Sequence, residues 1–354
     1  MPFATPTSLS VMVATLGLAL FIMAIFALSL LMPGPTRSGA KRDDGRSQNR
    51  WDGLALLGFF LAVATVAEWT GTGLALAARH FWALLIGANL LAWPGSLALF
   101  LIGRSPPPRL ADFFFGRERN PSLCGLDLKM FSYRPSLIGL AMTNLAFASL
   151  QWESNGRISL AMALYQCFTL AYIANYFQFE HGMRFTWDIM EERFGWMLVW
   201  GDYVLVPFFY CLPGIYIFLR PDPLPVAAVP ALTALYAFGF LLFRGANGQK
   251  HRFKSKPAAP IWGRRPKSLG GRLLVSGFWG IGRKLNYTGE LLMYLAWTLL
   301  CGFHTLVPYL LPGWLLGLLV QRAARDDRRC RAKYGALWEE YCQHVRFRMF
   351  PFLY

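Results

Sequence analysis

The sequence predicts an all-α protein, a polytopic transmembrane helical bundle of about nine or ten spans. Hydrophobic residues make up 55% of its 354 positions and charged residues only 15%, whereas soluble domains carry about 25% charged residues. Apolar runs recur along the chain, and many approach the roughly 20 residues that a membrane-crossing helix needs. Lys and Arg concentrate between these runs. This alternation is typical of multi-pass membrane proteins.

Nine apolar segments are predicted to cross the membrane as helices. The first is too long for the core of a signal peptide and lacks a small-residue cleavage site, so we interpret it as a true span. The stretch 110–131 would supply a tenth span if it entered the membrane. Pro308 and Pro312 predict that the last segment is kinked or broken. In chain order the segments are Leu9–Met32, Leu54–Leu76, Phe81–Ile102, Pro135–Leu150, Ser159–Phe177, Trp196–Leu219, Pro225–Phe243, Asn286–Gly302 and Leu306–Val320.

The formal net charge of +16 is distributed in a way that indicates topology. The loop 36–50 carries five basic and two acidic residues, and the predicted loop Arg244–Arg272 carries nine basic and no acidic ones. With nine spans, both loops and the C-terminus fall on one side, which the positive-inside rule makes cytoplasmic. Because the charge lies in loops rather than on a separate domain, no nucleic-acid partner is expected. The expected location is the endoplasmic reticulum membrane in a eukaryote or the inner membrane in a bacterium.

Cysteine and histidine spacing predicts neither a disulfide framework nor a metal site. The six cysteines form no CxxC pair, and the five histidines form no HxxxH pair. Cysteines in or beside apolar segments are interpreted as small buried hydrophobic residues.

The stretch Ser276–Tyr354 combines apolar segments with polar groups at helical spacing. Steps of three and four residues place side chains on one face of a helix. The other positions nearby are rich in arginine, so one face is predicted to line a pocket while the other meets water or phosphate. The predicted pocket face consists of Arg322, Asp326, Cys330, Lys333 or Tyr334, Leu337 and Tyr341.

Within the basic loop, the motif GANGQKHRFK carries Lys250, Arg252 and Lys254. These cations are explained either by lipid headgroups at a membrane surface or by a multiply phosphorylated ligand. The chain has no GxGxxG after a strand and no GxxxxGK[ST] motif, so any nucleotide is held by something other than a Rossmann or P-loop fold.

An acidic cluster beside aromatic-rich spans supplies candidate proton donors. Carboxyl groups at the edge of an apolar cavity can hold a proton and donate it. The alternative is a solvated loop, which applies more to Glu191 and Glu192 than to Glu180 and Asp202, since the latter two adjoin apolar segments. The cluster comprises Glu180, His181, Asp188, Glu191, Glu192 and Asp202.

The motif GIGRKLNYTGE, from Gly280 to Glu290, offers hydrogen-bonding groups at the start of an apolar segment. Asn286 and Tyr287 can bond to an amide or a ribose, and the glycines allow close approach of the backbone.

Together these motifs resemble the sterol reductase family, which includes delta-14-sterol reductases, 7-dehydrocholesterol reductase, sterol C-24(28) reductases and the membrane part of the lamin B receptor. The resemblance covers roughly Gly125 to Tyr354. It suggests a division into N-terminal transmembrane helices at 1–120 and a sterol reductase-like catalytic region at 121–354, within one membrane domain. Its strongest segments are LDLKMFSYRPSLIG, TWDI, FGWMLVWGD, VPFFY, GANGQK, LLVSGFWGIGRKLNYTGE and RDDRRCRAKYGALWEEYC.

The resemblance implies that NADPH binds in a polar pocket of the C-terminal half, on the cytoplasmic side, next to an apolar pocket for a sterol. The expected partners are thus a sterol-like substrate and membrane lipids. By position, the implied NADPH contacts are Lys250, Lys254, Leu274, Trp279, Asn286, Tyr287, Arg322, Asp326, Cys330, Lys333, Tyr334 and Tyr341.

The reaction implied by the resemblance is reduction of a sterol C=C bond, most consistent with the delta-14 position. A general acid protonates one carbon, and the resulting carbocation, which aromatic faces can stabilise, accepts hydride from NADPH. The candidates for the proton path are Glu180, Asp202, Tyr203 and Tyr210; packing is the alternative role of both tyrosines.

Four departures from the family pattern leave the position of the double bond open. These are Asn175, Glu290, Leu205 and the pair Lys284–Leu285. Two other functions remain as alternatives. One is a membrane methyltransferase of the isoprenylcysteine or phospholipid type, which would use S-adenosylmethionine; the other is a lipid-binding protein without catalysis.

Overall fold

Long helices dominate the computed structural model, which describes residues 3–32, 36–38, 48–50, 52–71, 73–103 and 109–353, the first two strands by backbone only. The chain divides into two compact units, Met1–Asp222 and Pro223–Tyr354. The helices of the first unit are α1 (Ser8–Leu31), α2 (Gly53–Trp69), α3 (Ala75–Arg79), α4 (Phe81–Ile102), α5 (Leu110–Phe115), α6 (Leu128–Asn155), α7 (Leu160–Gln178), α8 (Glu180–Met183), α9 (Trp187–Met190), α10 (Trp196–Trp200), α11 (Val206–Phe209) and α12 (Leu212–Leu219), with a π-helical turn at Gly201–Leu205.

The second unit contains a smaller set of helices. They are α13 (Ala228–Ser255), α14 (Phe278–Ile281), α15 (Leu285–Leu299), α16 (Leu310–Tyr334) and α17 (Ala336–His344), with a 3₁₀ turn at Val307–Tyr309.

Three antiparallel hairpins interrupt the helical pattern that the sequence predicts. Each consists of two strands of two or three residues, too short for an extended sheet. They pair β1 (Thr36–Ser38) with β2 (Gln48–Arg50), β3 (Ser122–Leu123) with β4 (Leu126–Asp127), and β5 (Ser268–Leu269) with β6 (Leu273–Leu274).

Four helical segments in the described part of the chain have the length and hydropathy to cross a membrane, which makes this an integral membrane protein. They are Ser8–Leu31, Phe81–Ile102, Trp196–Leu219 and Ala228–Ser255. Each matches one of the predicted spans. The total of nine or ten spans remains a prediction.

The predicted span Leu54–Leu76 is wrong as a single helix, because α2 ends at Trp69. Gly71 and Gly73 follow with positive φ angles of 74° and 37°, a backbone conformation that glycine adopts without a steric penalty. The carboxylate of Glu68 accepts a hydrogen bond from the Leu74 N–H at 2.6 Å across this turn. Glu68 therefore closes the end of a helix.

The basic segment after the seventh predicted span is helical at first and not the predicted loop. Helix α13 continues to Ser255, because no proline lies between Arg244 and Pro257 to break it. Lys250 and Lys254 consequently lie one turn apart on the same helix.

The predicted break in the segment Leu306–Val320 lies near Pro308, because the segment begins as the 3₁₀ turn Val307–Tyr309 and is α-helical only from Leu310. Pro312 lies in the first turn of α16, where the missing N–H of proline costs no helical hydrogen bond. The predicted continuous face from Arg322 to Tyr341 is interrupted at Gly335, whose φ of 54° ends α16.

In the first unit, α6 is the central element and its ends are set locally. The carboxylate of Asp127 caps its first turn by accepting from the N–H groups of Lys129 and Met130, at 3.0 and 3.1 Å. Gly156 ends it in the left-handed conformation. Helix α6 contacts α3, α7, α11 and the π-helical turn, so it adjoins the turn that carries Asp202.

In the second unit, α13 and α15 cross at a pair of glycines. A Cβ at Gly239 would lie 2.8 Å from the carbonyl oxygen of Gly289, and a Cβ at Gly289 would lie 2.5 Å from the Phe243 nitrogen. Both distances are shorter than a carbon atom tolerates. The glycines therefore permit the close backbone approach that brings the polar ends of α13 and α15 together.

Candidate active site

A buried ion pair lies at the centre of the polar end of the second unit. The ammonium of Lys284, at the start of α15, pairs with the carboxylate of Asp326 on α16. Burial lowers the pKa of the Lys284 ammonium, and the nearby charge of Lys250 acts in the same direction. The Cys330 sulfur lies 4.0 Å from the other oxygen of Asp326. The structure thus joins two of the predicted cofactor residues to a lysine that was not among them.

Lys250 and Trp279 form a cation–π contact beside this pair, with the lysine nitrogen 4.6 Å from the ring centroid. The Trp279 indole is fixed by a 2.7 Å hydrogen bond from its N–H to the Ala246 carbonyl. The main-chain carbonyl of Trp279 accepts a hydrogen bond from the Tyr341 hydroxyl at 3.1 Å. Burial raises the pKa of Tyr341, so this phenol stays protonated and remains a donor. Leu274 packs with Trp279 in a buried cluster.

Asn286 reaches the same end of the unit from α15. Its amide nitrogen donates to the Asn247 side-chain oxygen at 3.3 Å. Its own amide oxygen is buried and has no hydrogen-bond partner among the described residues. A buried acceptor without a donor is costly, so this oxygen is suited to receive a hydrogen bond from a bound molecule.

The remaining predicted cofactor residues surround this core less tightly. Arg322 and Tyr287 are half-buried, and Lys254 is exposed. Lys333 is exposed with its nitrogen 5.3 Å from the Tyr334 ring centroid, and Tyr334 stacks on Trp338 at 6.5 Å. The C-terminal end of α16 therefore presents cations and aromatic faces together.

A second ionic cluster holds the C-terminal segment against this site. The Arg283 guanidinium donates to the Val345 carbonyl at 2.6 Å and lies 3.5 Å from Asp327. Arg348 pairs with Asp327 at 2.7 Å. The N–H of Lys284 donates to the Arg348 carbonyl at 2.6 Å. These contacts fix the backbone that carries Lys284.

In the first unit, Glu180 lies in a buried ionic cluster. Its carboxylate accepts from Arg134 at 2.9 Å and from the Gly53 N–H at 3.1 Å. The same guanidinium contacts Asp52 at 2.7 Å. Glu180 therefore has an anchoring role whether or not it also participates in chemistry.

Asp202 lies on the π-helical turn Gly201–Leu205 and is buried. It is hydrogen-bonded to the Ser132 hydroxyl of α6. Ser132 and Arg134 are two residues apart on α6, so they face different sides of this helix. Asp202 and Glu180 thus contact different faces of α6, and the structure does not join them in one cluster.

Tyr203 follows Asp202 on the same turn and lines an apolar cavity of the first unit. Tyr210 is half-buried after α11, and its main-chain carbonyl accepts from the buried Tyr165 hydroxyl at 3.4 Å. Among the four proton-path candidates, Asp202 and Tyr203 are brought together by sequence adjacency on an irregular turn. Such π-helical turns occur frequently at functional sites.

The amino-acid sequence matches the model of a known protein family. The sequence model of the Ergosterol biosynthesis ERG4/ERG24 family matches residues 13–354. The chain belongs to this family. The match extends across the N-terminal helices, well beyond the segment from Gly125 onward that carries the resemblance in the sequence analysis.

Several curated relatives of this ERG4/ERG24 family member are named sterol reductases. A Delta(14)-sterol reductase of Arabidopsis thaliana is 37% identical, covering 92% of this chain and 91% of the relative. A Delta(14)-sterol reductase of Methylotuvimicrobium alcaliphilum is 37% identical over 93% of this chain and 80% of the relative. A 7-dehydrocholesterol reductase of Xenopus laevis is 36% identical over 69% of this chain and 54% of the relative.

Some residues at the candidate site of this family member were not predicted from the sequence. Ser132 and Asn247 both lie inside motifs that carried the resemblance, yet only the fold shows that they bond to Asp202 and Asn286. Lys284 stood out only as a departure from the family pattern. Helical spacing identified Asp326, and its partner comes from another helix, which spacing within one segment does not reveal.

Proposed function

We propose that this protein reduces a C=C bond of a sterol, with NADPH as the hydride donor and the delta-14 bond as the target. The observation that carries the proposal is the family match over residues 13–354, together with an Arabidopsis thaliana relative named Delta(14)-sterol reductase that is covered over 91% of its length. The names of these relatives state different double bonds, so the choice of the delta-14 bond is the more specific part of the proposal.

The polar end of the second unit fits a phosphorylated dinucleotide. Lys250, Lys254 and Lys333 supply the positive charge that phosphate groups need. The buried, unpaired oxygen of Asn286 suits a carboxamide or ribose donor. When bound, NADPH supplies the hydride; the chain supplies its anchoring and orientation, on what we infer to be the cytoplasmic side.

The hydrogen bonds around Ser132 support Asp202 as the proton donor. The Ser132 hydroxyl has one hydrogen, and two acceptors compete for it: the Asp202 carboxylate and the Lys129 carbonyl at 2.9 Å. If Asp202 carries a proton, it donates to Ser132, and Ser132 donates to Lys129. All three groups are then satisfied, and Asp202 holds a proton that passes to a substrate carbon when its hydrogen bond to Ser132 breaks.

Glu180 is less suited to this role. Its carboxylate accepts hydrogen bonds from Arg134 and Gly53, so both of its oxygens are engaged with the surrounding helices. We therefore assign the proton to Asp202, with Tyr203 beside the substrate and Glu180 as part of the scaffold.

The proposal is tested by incubating purified protein in detergent or nanodiscs with NADPH and three sterols, which carry delta-14, delta-7 and delta-24(28) double bonds. Mass spectrometry should show a gain of two hydrogens for the delta-14 sterol. Deuterium from labelled NADPH should appear in the product at one position and solvent deuterium at another.

Two outcomes would contradict the proposal in different ways. Reduction of only the delta-7 or delta-24(28) sterol would support the proposed reductase activity and change the double bond that it acts on. Turnover of S-adenosylmethionine without any oxidation of NADPH would replace it with the methyltransferase alternative.

A further inference from the structure

The apolar cavity of the first unit lies among α1, α3, α4, α6 and the turn that carries Tyr203. Its volume is about 180 Å³. Aliphatic, aromatic and small side chains form most of its wall, including Leu18, Phe81, Ala88 and Met142. All of these residues belong to the first unit, so the cavity is defined without reference to the second.

The described wall has two hydroxyl groups, and they differ in position and in bonding. Thr143 donates to the Gly139 carbonyl at 2.9 Å within α6, so its hydroxyl is satisfied by its own helix. Tyr203 comes from the π-helical turn and directly follows Asp202. The cavity is therefore apolar, and its wall includes Tyr203, the sequence neighbour of the residue to which we assign the proton.

The size of the cavity limits what it can hold. An apolar protein cavity of about 150 Å³ accepts one benzene molecule. A cavity only slightly larger cannot enclose the four fused rings of a sterol. It can enclose a branched alkyl chain, and burying such a chain contributes about 0.8 kcal/mol for each methylene group removed from water.

Sterol chemistry connects this size to the reaction. In a sterol, the delta-14 bond and the carbon that carries the aliphatic side chain, C-17, belong to the same five-membered ring. A substrate placed with its double bond at Asp202 therefore has its side chain within one ring width of the proton donor. We propose that this cavity receives the C-17 side chain of the sterol and so selects substrates by that chain; this inference rests on the proposed function.

The first test compares two delta-14 sterols that differ only at C-17, one with the intact branched side chain and one with the chain cut to an ethyl group. Wild-type protein should reduce the first with a kcat/KM at least about tenfold higher, because each lost methylene removes a favourable apolar contact. This arm needs no variant. Equal kcat/KM for the two sterols would overturn the inference.

The second test fills the cavity. A Cβ at Gly139 would lie 3.5 Å from Pro207, an ordinary contact, so Gly139→Leu can extend into the space. Ala77→Leu fills it from α3, where the residue is half-buried. Gly95→Leu is the matched control, since nothing lies within 4 Å of its Cβ position and it does not line the cavity.

The expected result is selective. Gly139→Leu and Ala77→Leu should lower kcat/KM for the intact sterol by about tenfold and leave the ethyl sterol within about twofold of wild type. Gly95→Leu should change neither. An equal loss for both sterols would contradict the inference. Unchanged turnover of both sterols, together with loss of a co-purified phospholipid, would also contradict it and would assign the cavity to an acyl chain. If wild type reduces neither sterol, the proposed function itself fails.

Discussion

Lys284 and Asp326 form a buried ion pair that joins the start of α15 to the middle of α16. Lys284 is only 4% exposed, and its backbone is held by the C-terminal segment through the Arg348 carbonyl. Removing one member of such a pair leaves the other as an uncompensated buried charge. The position of Asp326 in the proposed cofactor site therefore depends on Lys284.

Lys284→Met should weaken NADPH binding by about tenfold, since Asp326 then lacks its counter-charge and repels the cofactor phosphates. Asp326→Asn should also weaken binding. The double variant should lose less than the sum of the two single losses, because the pair acts as a unit. Isothermal titration with NADPH gives the four dissociation constants, for wild type and the three variants; strict additivity would show that the two residues do not act as a unit in cofactor binding.

Lys250→Ala and Arg322→Ala should weaken NADPH binding more than sterol binding. Lys250 lies over the Trp279 ring, and Arg322 is half-buried on α16; each is expected to contribute a charge-assisted contact. Dissociation constants for NADPH and for a delta-14 sterol should be measured for each variant, with Lys256→Ala, an exposed residue just after α13, as the control. Equal weakening of both ligands, or no effect, would count against the cofactor site.

Composition and periodicity were sufficient to predict the helical membrane fold, because lipid leaves few alternatives to the helix. They failed where a local backbone preference decided the outcome. The run Leu54–Leu76 is mostly apolar, yet the two glycines at 71 and 73 follow the end of its helix at Trp69. Helix α13 continues into a polar, basic stretch despite Gly245 and Gly248, because polarity alone does not end a helix and Ala, Gln, Lys and Arg are good helix formers.

The candidate site was only partly predictable, and for a different reason. Asp326 was found by helical spacing, and Asn286 by its place at the start of an apolar segment. The contacts that define their roles, to Lys284 and Asn247, join segments about 40 residues apart, as the separations of 42 and 39 show. Such pairings depend on how α13, α15 and α16 pack, which periodicity within one helix does not determine.

Asp202→Asn should lower kcat by about 10²-fold to 10⁴-fold, the usual contribution of a general acid, with little change in NADPH affinity. The amide keeps the shape of the side chain and cannot deliver the proton. NADPH oxidation measured with a delta-14 sterol gives kcat. Asp112→Asn, at an ion pair with the exposed Arg193, is the matched control. Ser132→Ala should have a smaller effect, since Ser132 positions the carboxyl group; retained activity in Asp202→Asn would move the proton to another group.

Arg134→Met should destabilise the first unit by about 3–5 kcal/mol, because it leaves the buried carboxylates of Asp52 and Glu180 without their guanidinium. Arg79→Met is the natural comparison, since its pair with Glu153 is largely exposed and should be worth less than about 1 kcal/mol. Thermal unfolding in detergent, followed by tryptophan fluorescence, measures both. Similar shifts for the two variants would mean that the Arg134 cluster is not a structural anchor.

The free energy of unfolding should rise with pH because of Lys129. Its ammonium donates to the carbonyls of Ile189 and Glu192 at 2.9 and 2.7 Å. Burial lowers the pKa of Lys129 from 10.5 to about 8, with Arg119 acting in the same direction against the opposing charges of Asp127, Asp188 and Glu192.

Between these two pKa values the unfolded chain binds the proton and the folded chain does not, so the free energy of unfolding rises with pH there and is flat below it. From pH 8 to pH 9.5, wild type should gain on the order of 2 kcal/mol relative to Lys129→Met. Subtracting the variant's denaturation midpoints from those of wild type at each pH removes the other titrating groups. A difference that stays constant, or falls as pH rises, would show that Lys129 is fully charged in the folded protein throughout this range.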